Sequence, residues 1–240
     1  MSEVVVITGA SRGLGAGMAQ WFSQNGKRTG LCSRSTINQQ NGPEVFSDCV
    51  DVTDEEGVEQ FLQDVVAALG PIDLWINNAG VLDPILPLRD LSHQAMRDHF
   101  DINVMGVLAC SRAYIRHRRS VGGGGVLINI SSGAALKGYA GWSAYCAGKA
   151  AVDRMTECIS LEESGFGLRA HAVAPGVVDT QMQEKIRGSS PAVFPMVNKF
   201  LKLKERDAFN SPAFVAEHIN RIATGEWTPG AVVVRIPNEV

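Results

Sequence analysis

Val4-Val5-Val6-Ile7-Thr8-Gly9-Ala10-Ser11-Arg12-Gly13-Leu14-Gly15 is the stretch that decides the fold of this chain. Four β-branched apolar residues in a row suit a strand buried on both faces of a parallel sheet. Thr8 to Gly15 then spells T-G-x-x-x-G-x-G, a tight turn that opens the first helix. At such a turn the backbone comes close to a guest. The free N–H groups and positive dipole end of the helix receive an anion, typically a pyrophosphate. The place of the turn, directly after the first buried strand, matters more than its glycines, because glycine also serves ordinary turns.

The alternation of strand and helix continues along the chain. Strands are expected over 4–7, 28–32, 45–50, 72–76, 126–130, 168–173 and 231–236. Helices are expected over 18–24, 54–69, 92–119, 143–164 and 212–224. Thr53 or Asp54 suits the N-cap of the second helix, and Gly70-Pro71 stops it. Gly122-Gly123-Gly124-Gly125 reads as a flexible connection, since no helix starts after it. The stretch 175–210 reads as irregular with helical patches. Repeated βα units predict an α/β protein: a Rossmann-type, doubly wound parallel sheet with helices on both faces and right-handed crossovers. No linker divides the chain, so one dinucleotide-binding and catalytic domain is expected over 1–240, with a substrate loop at about 179–211.

Composition narrows the partners. The 240 residues are 45% hydrophobic and 20% charged, with a net charge of −3, which gives no general attraction to nucleic acid or an anionic membrane. The one basic cluster, Arg112, Arg116, His117, Arg118 and Arg119, precedes the glycine run and suits a helix C-terminus. No apolar run reaches membrane-spanning length. Five scattered cysteines form no C-x-x-C pair, and Met1-Ser2-Glu3 runs straight into the first strand. A cytoplasmic protein with free thiols is expected. His93 with His99, or Cys146 with Cys158, match no metal-site spacing, so no metal is expected.

The end of the second strand selects the cofactor. An acid there receives the ribose 2′-hydroxyl of NAD. This chain has Leu31-Cys32-Ser33-Arg34 instead, and Arg34 with Arg12 suits the 2′-phosphate of NADP(H). Further on, Tyr145 and Lys149 stand four residues apart, on one face of a helix, with Ser132 thirteen residues before Tyr145. A neighbouring ammonium favours the phenolate and prepares the phenol for proton transfer.

With these residues in hand, the chain resembles the short-chain dehydrogenase/reductase family. The resemblance covers nearly the whole length, through Thr8 to Gly15, Asp51-Val52, Asn77-Asn78-Ala79-Gly80, Asn103, Ser132, Tyr145/Lys149 and Pro175-Gly176, in family order. It implies that Gly9, Ser11, Arg12, Gly13, Leu14, Gly15, Ser33 and Arg34 bind the phosphates and adenosine ribose. It implies that Asp51 and Val52 contact the adenine and that Asn78, Ala79 and Gly80 line the adenosine side. A bracing role between strands is compatible with Asn77 and Asn78. Pro175, Gly176, Val178 and Thr180 would wrap the nicotinamide. In the catalytic group, Ser132 would hold the carbonyl oxygen, Tyr145 would give the proton, Lys149 would bond the nicotinamide ribose, and Asn103 would anchor a water. Ser131 competes with Ser132, and the family spacing selects Ser132. Asn103 also reads as a helix-interior asparagine at a local kink.

The segments Asp179-Thr180-Gln181-Met182-Gln183 and Phe200-Leu201-Lys202-Leu203-Lys204 are similar to the sepiapterin reductase and benzil reductase branch. The acid that grips a pterin in that branch aligns with Val234, so a ketone or vicinal dicarbonyl of benzil type is favoured over the pterin side-chain type. Trp142 and Met182 are candidate substrate contacts, and Phe194, Met196 and Phe200 a candidate apolar lid; core packing explains these residues comparably well. The expected activity is an NADPH-dependent carbonyl reductase acting on a small-molecule carbonyl substrate. An NAD(P)-dependent alcohol dehydrogenase running oxidatively and a cofactor-sensing regulatory protein on the same fold are the competing readings. A homodimer or homotetramer is implied by the family, through the helices at about 92–119 and 143–164.

Overall fold

The structure, a computed structural model, describes residues 3–37, 39 and 41–239. The Met1-Ser2 lead into the first strand therefore lies outside the described residues. Seven parallel strands form one sheet in the order β3-β2-β1-β4-β5-β6-β7, with β1 Val4–Thr8, β2 Arg28–Ser33, β3 Val45–Cys49, β4 Leu74–Asn77, β5 Val126–Ile130, β6 Arg169–Ala174 and β7 Val233–Arg235. The pleat of β1 sends alternate residues to opposite faces. Val5 and Ile7 join a core with Met18 and Phe22 of α1 (Gly13–Gln24) and Val215, Ile219 and Ile222 of α8 (Pro212–Thr224). Val4 and Val6 join a second core with Val58, Phe61 and Val65 of α2 (Glu55–Leu69), Cys110 and Tyr114 of α4 (Gly106–Ser120) and Ile159 of α5 (Ser143–Glu163). Both faces are covered, as an all-parallel sheet requires.

Helix starts obey local chemistry. Asp54 accepts a hydrogen bond from Gly57 N at 3.1 Å to cap α2. Ser211 accepts from Phe214 N at 3.1 Å, with Pro212 in the first turn of α8. α1 begins at Gly13, five residues earlier than the apolar pattern suggests, because the glycine turn itself enters the helix. The helical rod expected over 92–119 is three pieces: α3 (His93–Phe100), a π-helical segment Asp101–Met105, and α4. The irregular stretch after β6 holds α6 (Gln181–Arg187) and α7 (Val197–Glu205).

A buried polar chain ties the sheet to the helices that carry the site. Trp75 Nε1 donates to Asn77 Oδ1 at 2.8 Å, and Asn77 Nδ2 donates to Asn129 Oδ1 at 2.8 Å and Ser111 Oγ at 3.0 Å. Asn129 Nδ2 donates to Thr156 Oγ1 of α5 at 2.8 Å. Every member is bonded, so the network fixes β4, β5, α4 and α5 relative to one another without an unsatisfied buried group. The bracing role expected of Asn77 is this network. The basic cluster is structural: Arg112 pairs with Glu55 at 3.1 Å, Arg116 with Glu59 at 3.3 Å and Arg119 with Glu163 at 2.8 Å. Arg118 donates to the carbonyls of Ile72, Gly123 and Gly124. No helix of the described residues is long and apolar enough to cross a membrane.

Candidate active site

Strand order reverses between β1 and β4, and the crevice beyond their C-terminal ends is where such sheets bind ligands. A cavity of about 580 Å³ lies there. Its walls include Gly9, Ser11, Arg12, Gly13, Ser33 and Arg34 from the first two βα junctions. Asp51 and Val52 after β3, Asn78, Ala79 and Gly80 after β4, and Thr180 from the head of α6 complete it. Gly9 sits at φ +67°, and a Cβ there would lie 2.8 Å from Ala79 Cα, so only glycine lets the turn lie against the end of β4. Gly15 is not among the cavity walls; a Cβ there would meet the Gly9 carbonyl oxygen at 2.3 Å, so the close packing of the turn requires glycine. Asn78 Nδ2 donates to the Thr8 and Gly9 carbonyls at 2.9 and 3.2 Å, bracing the turn as well as lining the cavity.

These residues fit a nicotinamide dinucleotide. The N-terminus of α1 has no side-chain cap and no acid in its first turn, which leaves its positive end for phosphate. Arg12 and Arg34 line the cavity, and neither has a carboxylate partner among the described residues. Asp51 Oδ1 accepts from Thr53 N at 3.0 Å and Thr53 Oγ1 at 2.9 Å, which orients its carboxylate.

A second cavity of about 530 Å³ adjoins the first, sharing Asn78, Gly80, Val81, Leu82, Thr180 and Met182 as walls. It gathers Ser132, Tyr145, Lys149 and Asn103, together with Leu14, Pro175, Gly176 and Val178. Ser132 follows β5 in extended backbone, its Oγ accepts from Ala134 N at 3.1 Å, and it lines the same cavity as Tyr145. Ser131 is turned elsewhere: its hydroxyl donates to Asp153, one turn beyond Lys149. Lys149 is buried, and its Nζ donates to the Ile130 carbonyl at 2.7 Å and lies 5.8 Å from the Tyr145 ring centroid.

Burial dominates the electrostatics of this pair. Burial pushes the Tyr145 phenol above its ordinary value, and the nearby Ser132 hydroxyl draws it only part of the way back. Burial also pushes Lys149 from 10.5 down to about 8, with Asp153 opposing. In both groups desolvation is the largest cause of the shift, and it disfavours the charged form of each.

Asn103 sits in the π-helical segment, which is the kink its helix-interior position suggested. Its Oδ1 accepts from Val81 N at 2.9 Å, and its Nδ2 donates to Val81 O at 2.8 Å. Nδ2 also lies 2.7 Å from His99 Nε2. His99 Nδ1 stands 2.7 Å from the Asp83 carbonyl, which can only accept, so Nδ1 carries the proton and Nε2 accepts from Asn103. Burial lowers the pKa of His99, in keeping with that neutral form. His99 packs edge-on to Tyr145 at 6.2 Å, a contact that no motif or spacing signals.

On the substrate side, Trp142 both lines the cavity and is core: it stacks on Phe194 at 4.5 Å. Met182, Ile186 and Phe200 line the same wall. Phe194 is fully buried behind Trp142, and Met196 is exposed and off the wall, so neither is part of a lid over the cavity. Val234, aligned with the pterin-binding acid, points into the core under α8. The pleat brings its neighbour Arg235 to the cavity instead. Among the described residues, no group of three or more His, Cys, Asp or Glu side chains is placed to hold a metal ion.

A family model described as short chain dehydrogenase matches residues 3–190. A benzil reductase ((S)-benzoin forming) of Bacillus cereus is 30% identical over 97% of this chain and 98% of its own length. An L-fucose dehydrogenase of Oryctolagus cuniculus is 34% identical over 79% of this chain and 67% of its own. The crystal structure of the KRED1-Pglu enzyme matches with a TM-score of 0.86 at 30% identity, covering 96% of this chain and 98% of that one. The chain thus belongs to the short chain dehydrogenase family, in its benzil reductase-like branch, among oxidoreductases that use a nicotinamide cofactor on carbonyl or alcohol groups.

Proposed function

We propose that this protein is an NADPH-dependent carbonyl reductase acting on a ketone or vicinal dicarbonyl. The observation that carries the reading is that Ser132, Tyr145 and buried Lys149 line one cavity, which adjoins the dinucleotide cleft. A reduced nicotinamide supplies, when bound, the hydride for the carbonyl carbon. Ser132 and Tyr145 then hold the carbonyl oxygen, and Tyr145 gives its proton as charge develops there. A phenol kept protonated by burial is suited to that donor role. Lys149 stands where it can bond the nicotinamide ribose, and Asn103 with His99 holds the helix turn behind it. Arg12 and Arg34 select NADP(H) over NAD(H), since no acid stands at the end of β2.

Trp142, Met182, Ile186 and Phe200 make an apolar wall, which suits a flat ketone better than a polyol. The complete Ser132, Tyr145 and Lys149 set argues against a purely cofactor-sensing protein. In the same reading the protein works as a homodimer or homotetramer in the cytoplasm, where its five free cysteines stay reduced. The test is NADPH oxidation, followed by absorbance, against benzil, aromatic ketones, quinones and pterins. Tyr145→Phe is expected to abolish turnover while leaving NADPH binding nearly intact. Wild-type turnover by that variant, or alcohol oxidation with no carbonyl reduced, would overturn the reading.

A further inference from the structure

The reaction cavity is walled by cations on the side away from the dinucleotide cleft. Lys137 comes from the turn after Ser132, Lys199 from α7 and Arg235 from the end of β7, and all three line the cavity that holds Tyr145 and Lys149. None of the three lines the neighbouring dinucleotide cleft, so the cofactor phosphates, placed there by Arg12 and Arg34, are not their partners. No Asp or Glu lines the reaction cavity among the described residues. Chance composition does not explain this, because the chain has more acids than bases, 25 against 22.

Geometry puts one cation beside the chemistry. A Cβ built on Gly133, the residue after Ser132, would lie 3.5 Å from Arg235 Nη2. Neither Arg235 nor the two lysines has a carboxylate partner among the described residues. Lys137 and Lys199 instead lean on the Tyr139 ring, with Nζ at 5.5 and 5.8 Å from its centroid. A separate observation points the same way. The Trp142 indole Nε1–H is buried with no acceptor among the described residues, on a side chain that lines this cavity, and such a donor calls for a polar partner. Single exposed cations bind an anion weakly, but several around one concavity focus their field into it.

We propose that the substrate is an anionic carbonyl compound, an oxo acid with an apolar or aromatic flank, whose carboxylate is received by Arg235 with Lys137 and Lys199 at the rim. This rests on the carbonyl reductase reading above. The C=O π bond opens as carbon takes the hydride of the reduced nicotinamide and oxygen takes the Tyr145 proton. The product is the hydroxy acid, the nicotinamide is oxidised, and the carboxylate passes through unchanged. It steers and orients the substrate by charge-assisted hydrogen bonds to the guanidinium.

The experiment compares phenylglyoxylate with its methyl ester, a pair that differs in charge and shares the reducible carbonyl. With NADPH, kcat/KM for the acid is expected to exceed that for the ester at least tenfold. The ratio should fall toward one in Arg235→Gln/Lys199→Gln and at high salt, with partial recovery in Arg235→Lys. Equal or better use of the ester by the wild type, or a ratio the double variant does not move, overturns the proposal. Binding of benzoate and of benzamide to the NADP+ complex, read by tryptophan fluorescence, gives a measure without turnover. Benzoate is expected to bind at least tenfold tighter, and the double variant to lose that margin. Ester reduction with no benzoate preference defeats the anion site and leaves the reductase reading standing. Arg235-dependent benzoate binding with neither compound reduced supports the anion site and defeats the reductase reading.

Discussion

Lys149 Nζ donates to the Ile130 carbonyl oxygen at 2.7 Å from a buried position on the cavity wall. The burial that makes this contact also disfavours its charge, moving the pKa from 10.5 to about 8. The folded protein therefore holds this proton less well than the unfolded chain. The stability cost is complete below about pH 8 and is lifted as the pH rises to about 10.5. Lys149→Met has no such charge. The unfolding free energy of the wild type relative to this variant should rise by up to roughly 3 kcal/mol across that window. Urea unfolding of both proteins at the two ends of the window measures it, and a difference that ignores pH would show that Lys149 is not shifted.

His99 offers the matching acid-side experiment. Its Nε2 accepts from Asn103 Nδ2 at 2.7 Å, which only the neutral ring can do. Burial is the largest cause of its lowered pKa; the bond to the Asp83 carbonyl opposes it, and Lys149 adds to it. Its contribution to stability is complete above the ordinary value of about 6.5 and fades as the pH falls below it. His99→Leu should cost about 1–3 kcal/mol at neutral pH, because Asn103 keeps a buried donor without that acceptor. It should also flatten the loss of stability between about pH 7 and pH 5. Denaturant midpoints at those two pH values decide, and an unchanged slope in the variant would place the acid sensitivity elsewhere.

Much of the architecture was legible because parallel strands must be apolar throughout. Val126–Ile130 and Pro212–Thr224 have the bounds that their runs and flanking Gly, Ser and Pro suggest. The segment Asp101–Met105 was invisible, since one wider turn barely disturbs apolar periodicity. His99 was equally hidden: nothing in H-F-D-I-N says that the ring turns inward to Asn103 rather than to water. The two short helices after β6 carry too few residues for a pattern. The exchange of Val234 for Arg235 at the cavity has a simple cause. Strand residues alternate sides, so an offset of one residue at a strand end moves a core side chain into the site.

Asp179 ties that poorly legible region down. It accepts from Arg187 Nη1 of α6 at 2.9 Å and Lys204 Nζ of α7 at 2.7 Å. The Lys204 bond chiefly, and Arg187 with it, hold the carboxyl below the ordinary carboxylate range. The group is largely solvent-screened, so Asp179→Asn should cost under about 1 kcal/mol of stability. Yet α6 and α7 supply Met182, Gln183, Ile186, Lys199 and Phe200 to the reaction cavity. Loosening them should raise KM for the carbonyl substrate several-fold with a smaller change in kcat. Steady-state kinetics beside a melting curve tests this; a large fall in melting temperature with unchanged KM would make the clamp purely structural.

In the proposed reading Arg34 carries the cofactor choice, and its substitution gives the sharpest reversal. It follows Ser33 at the end of β2, is exposed on the cavity wall, and has no acidic neighbour in Leu31-Cys32-Ser33 to receive a ribose 2′-hydroxyl. Ser33 is itself turned to the Ser35 carbonyl, and Ser35 Oγ donates to Ser11 Oγ at 3.1 Å, which links this corner to the glycine turn. A charge-assisted contact to a 2′-phosphate is worth about 1.5–3 kcal/mol, so kcat/KM should favour NADPH over NADH by roughly 10- to 100-fold. Arg34→Asp adds repulsion to the phosphate and an acceptor for the hydroxyl, and should bring the ratio below one. Arg12 remains in the variant, at the N-cap of α1, so NADPH binding weakens without vanishing. Equal efficiency with both cofactors in the wild type would remove the basis for an NADP enzyme, whatever the variant does.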